Sequence, residues 1–204
     1  MVKVGFIVEG DTEKLIVESP AFVDWLVANG ITLVSPVVNA KGGGNLLPRN
    51  IGPFVATLQR AQAEHIVILT DLENEANPAA VRARIGQQQN HLIFIAVKAI
   101  EAWFLADTQA LRKWLDIATI EELTPEATPD FPWERLKSIA RENQKRGPGS
   151  KLIFAKHMVK TYGFTIANAA QHSNCPSVVE FADGIVALGN IAPLAAVERN
   201  ETES

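Results

Sequence analysis

The chain holds a single cysteine among 204 residues, so it contains neither an internal disulfide nor a cysteine-based zinc cluster. Cys175 precedes Pro176 with no motif around it, and it reads as structural rather than nucleophilic. No apolar run reaches the roughly 18 residues that a membrane span requires, and the N-terminus lacks a basic segment followed by an apolar signal core. The expectation is a cytoplasmic protein with no membrane partner. A basic excess is missing too: the net charge is −4, which excludes coating nucleic acid through the overall field. It leaves room for acids that hold cations. The four histidines show no ligand spacing, no Walker motif is present, and there are no internal repeats or low-complexity segments.

What is present is a chain of ordinary globular composition, 47% apolar and 21% charged, long enough for one domain with an appendage. The stretch Val4–Glu13 (VGFIVEGDTE) reads as strand, turn and helix. Gly10 supplies the turn, Asp11 or Thr12 is expected to cap the helix, and Glu9 stands at the carboxyl end of the strand. Open α/β sheets place their chemistry there. Taken alone, Glu9 reads as a ligand, a general base or a solvated strand end.

An amphipathic helix is expected over 13–29, divided or kinked at Ser19-Pro20, followed by a strand over Ile31–Val38. Pro36 marks that strand as an edge or bulged one. The loop Asn39–Asn45 (NAKGGGN) is the chain's richest in glycine, and Lys41 adds a charge that suits a substrate-facing loop, though a plain connector fits as well. A helix over 48–63 leads to His65–Thr70, a continuous apolar run of the central parallel kind. It ends in Asp71-Leu72-Glu73. Alternation along an extended chain would point Asp71 and Glu73 the same way, and two such carboxylates repel unless a cation lies between them.

A helix over 79–88 and a strand over 90–97 complete four strand–helix units, the last running into Lys98 and Glu101. Trp103, Phe104 and Leu105 read as core. The alternation predicts an α/β fold, a mainly parallel four-stranded sheet flanked by helices, over 1–107. A helical C-terminal part spans 108–204, with helices over 111–123, 134–146, 150–162 and 175–188, a proline-rich loop over 124–133 and a frayed tail over 198–204. The helices over 134–162 are locally basic, a charge that suits either nucleic acid or solvent.

VEGDTE at 8–13 followed by TDLE at 70–73 resembles the Toprim (topoisomerase-primase) domain, whose pattern is a glutamate after the first strand and Asp-x-Asp after the third. IEAWFLAD at 100–107 and the helical C-terminal part look like a Toprim-related family of bacterial and phage proteins known as a domain of unknown function. Its relatives include the nuclease half of the overcoming-lysogenization-defect proteins. The resemblance implies a Toprim-like core with Glu9 as the family's glutamate, Glu13 as the second acid of nuclease-type variants, and Asp71 as the first member of Asp-x-Asp. Glu73 replaces the second aspartate. With Glu101, these acids would hold Mg2+, or Mn2+, for hydrolysis of DNA or RNA, and Lys41 or Lys98 would neutralise charge on the transferring phosphate.

The relatives fuse this domain to an ATPase, so a separate ATPase subunit in phage defence is a second expectation, with this chain as a conditionally active or non-catalytic partner. A homodimer is compatible with the sequence. A phosphotransferase built on an Asp71 nucleophile is the third reading, and it gives Glu9 no task.

Overall fold

The computed structural model describes residues 1–86 and 91–190. Four strands form one all-parallel sheet in the order β2-β1-β3-β4: β1 (Val2–Val8), β2 (Ile31–Asn39), β3 (His65–Asp71) and β4 (His91–Ala96). The two central strands are the most buried ones, covered on both faces. Side-chain alternation sorts their residues. Val4, Phe6, Val8, Val67 and Leu69 enter one core, whereas Ile7, Ile66 and Ile68 enter the other.

The smaller core lies under α3 (Pro48–Arg60) and α4 (Pro78–Ile85), through Ile51, Val55, Leu58, Val81 and Ile85. Gly5 is required at this contact, because a Cβ there would stand 2.9 Å from a Leu58 methyl. The larger core is covered by α1 (Asp11–Val17), α2 (Pro20–Ala28), α5 (Glu101–Ala106) and the C-terminal helices. These are α6 (Thr108–Leu115), α7 (Pro132–Glu142), α8 (Lys151–His157) with a π turn over Met158–Tyr162, α9 (Ile166–Ala169) and α10 (Pro176–Gly189). Phe181 of α10 packs against Phe22, Phe94 and Trp103, and the Trp103 indole N–H donates to Ser177 Oγ at 2.8 Å. Trp103, Phe104 and Leu105 are core residues, as their sequence context predicts.

The proline signals act as expected. Pro36 lies on edge strand β2 where the pairing with β1 shifts between Gly5–Val34 and Ile7–Val38. Ser19-Pro20 divides the first helical segment in two, and the Ser19 hydroxyl accepts from Phe22 N–H. Elsewhere the boundaries differ. The first helix begins at Asp11 with Gly10 as its N-cap, so neither Asp11 nor Thr12 serves as the cap. The helix expected over 111–123 runs instead from Thr108 to Leu115 and stops at Asp116, whose φ of 51° is left-handed. The helices expected over 134–146 and 150–162 become Pro132–Glu142 and a seven-residue helix with its π turn, and α9 was not foreseen. Gln87, Gln88, Asn90 and the 198–204 tail lie outside the described residues. No helix among the described residues is long and apolar enough to cross a membrane.

Candidate active site

Three strand–helix junctions meet at the carboxyl edge of the sheet, and each delivers an acid. Glu9 follows β1 and its backbone N–H donates to Leu69 O at 3.0 Å, which anchors the residue beside β3. Its carboxylate accepts three hydrogen bonds. Oε1 accepts from Gly43 N–H at 3.0 Å, while Oε2 accepts from the Thr70 hydroxyl and from Asp71 N–H at 3.2 Å. Glu9 thus binds β1, β3 and the glycine-rich loop together.

That loop turns inward to the carboxylate rather than outward to an anion. A Cβ at Gly43 would lie 3.2 Å from Glu9 Oε1, so glycine is what lets the backbone approach. Lys41 has a left-handed φ of 60° and places its ammonium 2.7 Å from Asp11 Oδ1, on the surface. The pairing, reinforced by the nearby Asn39 amide, holds the Asp11 carboxyl below the usual range.

Glu13, one turn into α1, is buried and carries a carboxyl pushed up to about 7. Burial is the main cause, and the charges of Glu9 and Glu101 add to it. Asp71 closes β3, with Oδ1 accepting from Ile100 N–H at 2.8 Å. Burial first, then the charges of Glu13, Glu101 and Glu9, hold its carboxyl well above the usual aspartate range. Glu101 opens α5 at 2% exposure. Its Oε1 lies 3.0 Å from the Lys151 ammonium, and its Oε2 is buried with no hydrogen-bond partner.

The structure therefore brings together Glu9, Glu13, Asp71 and Glu101, but places Glu73, Lys41 and Lys98 apart from them. β3 ends at Asp71, and Glu73 has a left-handed φ of 50°, so the alternation that would aim both acids one way stops before it applies. Glu73 is exposed and lines a hollow of about 430 Å³ beside Lys98, Phe131 and Glu134. The Lys98 ammonium is engaged by the carbonyls of Thr128 and Asp130, where it ties down the proline-rich loop.

Sequence reading missed two participants. Thr70 is a buried hydroxyl directly before Asp71, a position where a strand end places a polar group inward, and this local signal was available. Lys151, fifty positions beyond Glu101, had no local signal beyond belonging to a basic helix. The motif residue Asp107 proves architectural: it caps α6 through Ala110 N–H and holds Thr165 N–H. Cys175 is buried and donates to the Glu126 carboxylate; burial and that charge push its thiol far up, so it is not a nucleophile at neutral pH.

The site is rich in carboxylate oxygens, and one of them, Glu101 Oε2, is buried without a partner. Among the described residues, no group of three or more histidine, cysteine or acidic side chains is placed so that it could hold a metal ion. No family model matches the chain, and neither a curated protein nor a solved structure matches it.

Proposed function

We propose that this chain is a Toprim-type, divalent-metal-dependent hydrolase of DNA or RNA phosphodiesters. The observation that carries the proposal is the convergence of Glu9, Glu13, Asp71 and Glu101 at the carboxyl edge of a parallel sheet, with one Glu101 oxygen buried and unpartnered. Burying several carboxylates together costs folding energy, and a site that tolerates the cost ordinarily binds something positive. Magnesium or manganese would supply charge neutralisation at the phosphate and an acidified water when bound.

The chain's own residues divide the work. Glu9, held by three donors, is a fixed anchor that keeps the ends of β1 and β3 in register. Asp71 Oδ2, Glu101 Oε2 and the Glu13 carboxylate are the oxygens left to face a cation. Glu13, with its carboxyl near neutrality, is also suited to take a proton from the attacking water. Lys151, rather than Lys41 or Lys98, pairs with one of these acids, and its ammonium would meet a phosphate oxygen of the substrate.

Incubation of labelled DNA and RNA strands with magnesium or manganese tests the proposal. Wild type should cleave one of them, whereas Asp71→Asn and Glu13→Gln should lower the rate at least about a hundredfold, the usual scale for loss of a positioned acid–base group. Cleavage by both variants at the wild-type rate would refute the assignment. The second reading, a conditionally active subunit of a separate ATPase in phage defence, draws on the lack, among the described residues, of a group that could hold a metal ion and on the missing Walker motif. It predicts cleavage only after that ATPase is added.

A further inference from the structure

Between Glu142 and Glu180 the chain contains no acidic residue, although it is acidic as a whole. The same interval holds Lys145, Arg146, Lys151, Lys156 and Lys160. The structure gathers part of this charge around a cleft of about 480 Å³ between the end of α6, the 145–150 loop, α8 and the π turn. Lys145, Arg146 and His157 line it with one acid, Asp116, whose Oδ2 lies 3.9 Å from the Lys145 ammonium, and with the half-buried rings of Trp114 and Tyr162. Trp114 is braced edge-on by Phe154 with centroids 4.7 Å apart, and Tyr162 stands 6.4 Å from the His157 ring.

The loop side is open. A side chain at Gly147 or Gly149 would meet nothing within 4 Å, and Ile153 on α8 is 55% exposed. The cleft also neighbours the acidic site along the chain. Ser150 lines it, and the next residue, Lys151, reaches Glu101.

We propose that this cleft binds single-stranded nucleic acid and feeds it to the acidic site, an inference that rests on the phosphodiesterase reading of that site. A cluster of carboxylates repels a polyanion, so a substrate strand needs a neighbouring attractive surface to hold it. Basic residues that track the backbone, beside aromatic faces on which bases stack, are the features that single strands use. A duplex buries its base faces and offers the rings nothing. The α8 helix is about 10 Å long, so a strand lying along it needs only a few nucleotides to span from the cleft to Glu101.

Fluorescence anisotropy with a labelled strand of about 12 nucleotides, within the usual range of single-strand site sizes, tests the inference. DNA and RNA versions of one sequence form separate arms, with the matching DNA duplex as comparison. Working in EDTA reads binding without cleavage, so the result is independent of the acid variants. At least one strand should bind about tenfold tighter than the duplex, and the tighter arm identifies the nucleic acid.

Lys145→Gln with Arg146→Gln, both at exposed positions, should weaken strand binding about tenfold and reduce the salt slope by about 1.4, twice the 0.7 per lost phosphate contact. Tyr162→Leu should weaken binding about fivefold with the slope unchanged, and Tyr162→Phe should restore it. Circular dichroism melts establish that each variant is folded; if Tyr162→Leu is not, the charge variant decides. Equal affinity for duplex and strand, or wild-type affinity in the folded variants, overturns the inference. Failure here with cleavage still lost in Asp71→Asn leaves the nuclease reading standing, and the converse result removes that reading while keeping the cleft.

Discussion

Glu9 and Asp71 stand on neighbouring strands, yet their amide variants should affect stability in opposite directions. Glu9 spends both oxygens on three donors, and the Glu9→Gln substitution would turn an NH2 group toward at least one of them. That variant should therefore lower the stability of the metal-free chain by about 1–3 kcal/mol, the cost of an unsatisfied buried donor. Asp71→Asn keeps an oxygen for Ile100 N–H and removes a charge that three neighbouring acids oppose. It should raise the melting temperature in EDTA, as thermal denaturation will show.

Glu13 adds a pH dependence. Its folded carboxyl titrates near 7, above the ordinary value of 4.5, so between those values the folded chain binds more protons than the unfolded one. Stability falls as pH rises across that window, by up to about 3 kcal/mol at 1.36 kcal/mol per unit, and Glu13→Gln should abolish this component. Urea titrations at pH 4.5 and 7.5 measure the difference between the two proteins; an identical pH response would show that Glu13 titrates normally.

At the scale of elements, one sharp packing constraint is the crossing of α10 over β4. A Cβ at Gly184 would run into the Phe94 ring, whose partner Phe181 belongs to the same helix. Gly184→Ala improves helix propensity by about 1 kcal/mol, but overpacking costs about 1–3 kcal/mol and should prevail. The variant should unfold at lower urea concentration than wild type.

The elements that carry periodic or punctuating signals were legible in the sequence. β1, β3 and β4 are apolar runs with acids at or just beyond their ends, and Pro36 and Ser19-Pro20 mark an edge strand and a helix break. Glu9, Asp71 and Glu101 were legible for the same reason, because each lies within a few residues of a strand end, whereas Glu13 was singled out through the resemblance alone. Glu73 was misjudged because two-residue alternation requires extended backbone, and the left-handed turn lies in torsion angles that no local pattern announces. Lys41 and Lys98 went astray for another reason. Their partners Asp11, Thr128 and Asp130 lie thirty or more residues away, and packing alone decides which cation meets which anion. The Lys151–Glu101 contact is the same kind of event seen from the other side.

For the whole molecule, the two halves of the sequence have complementary electrostatic roles. The sheet edge concentrates negative charge where a cation would sit, and the acid-free interval after Glu142 supplies positive charge on the helices beside it. Lys151 is the joint between them. Whether Glu13, Asp71 and Glu101 form a divalent-cation site is decided by calorimetric titration of magnesium and manganese into the wild-type chain, Asp71→Asn and Glu101→Gln. Wild type should bind saturably, each variant at least about tenfold more weakly, with proton release near pH 7 as Glu13 ionises. Equal binding by all three proteins, or none by wild type at millimolar metal with a substrate strand present, would rule the cation site out.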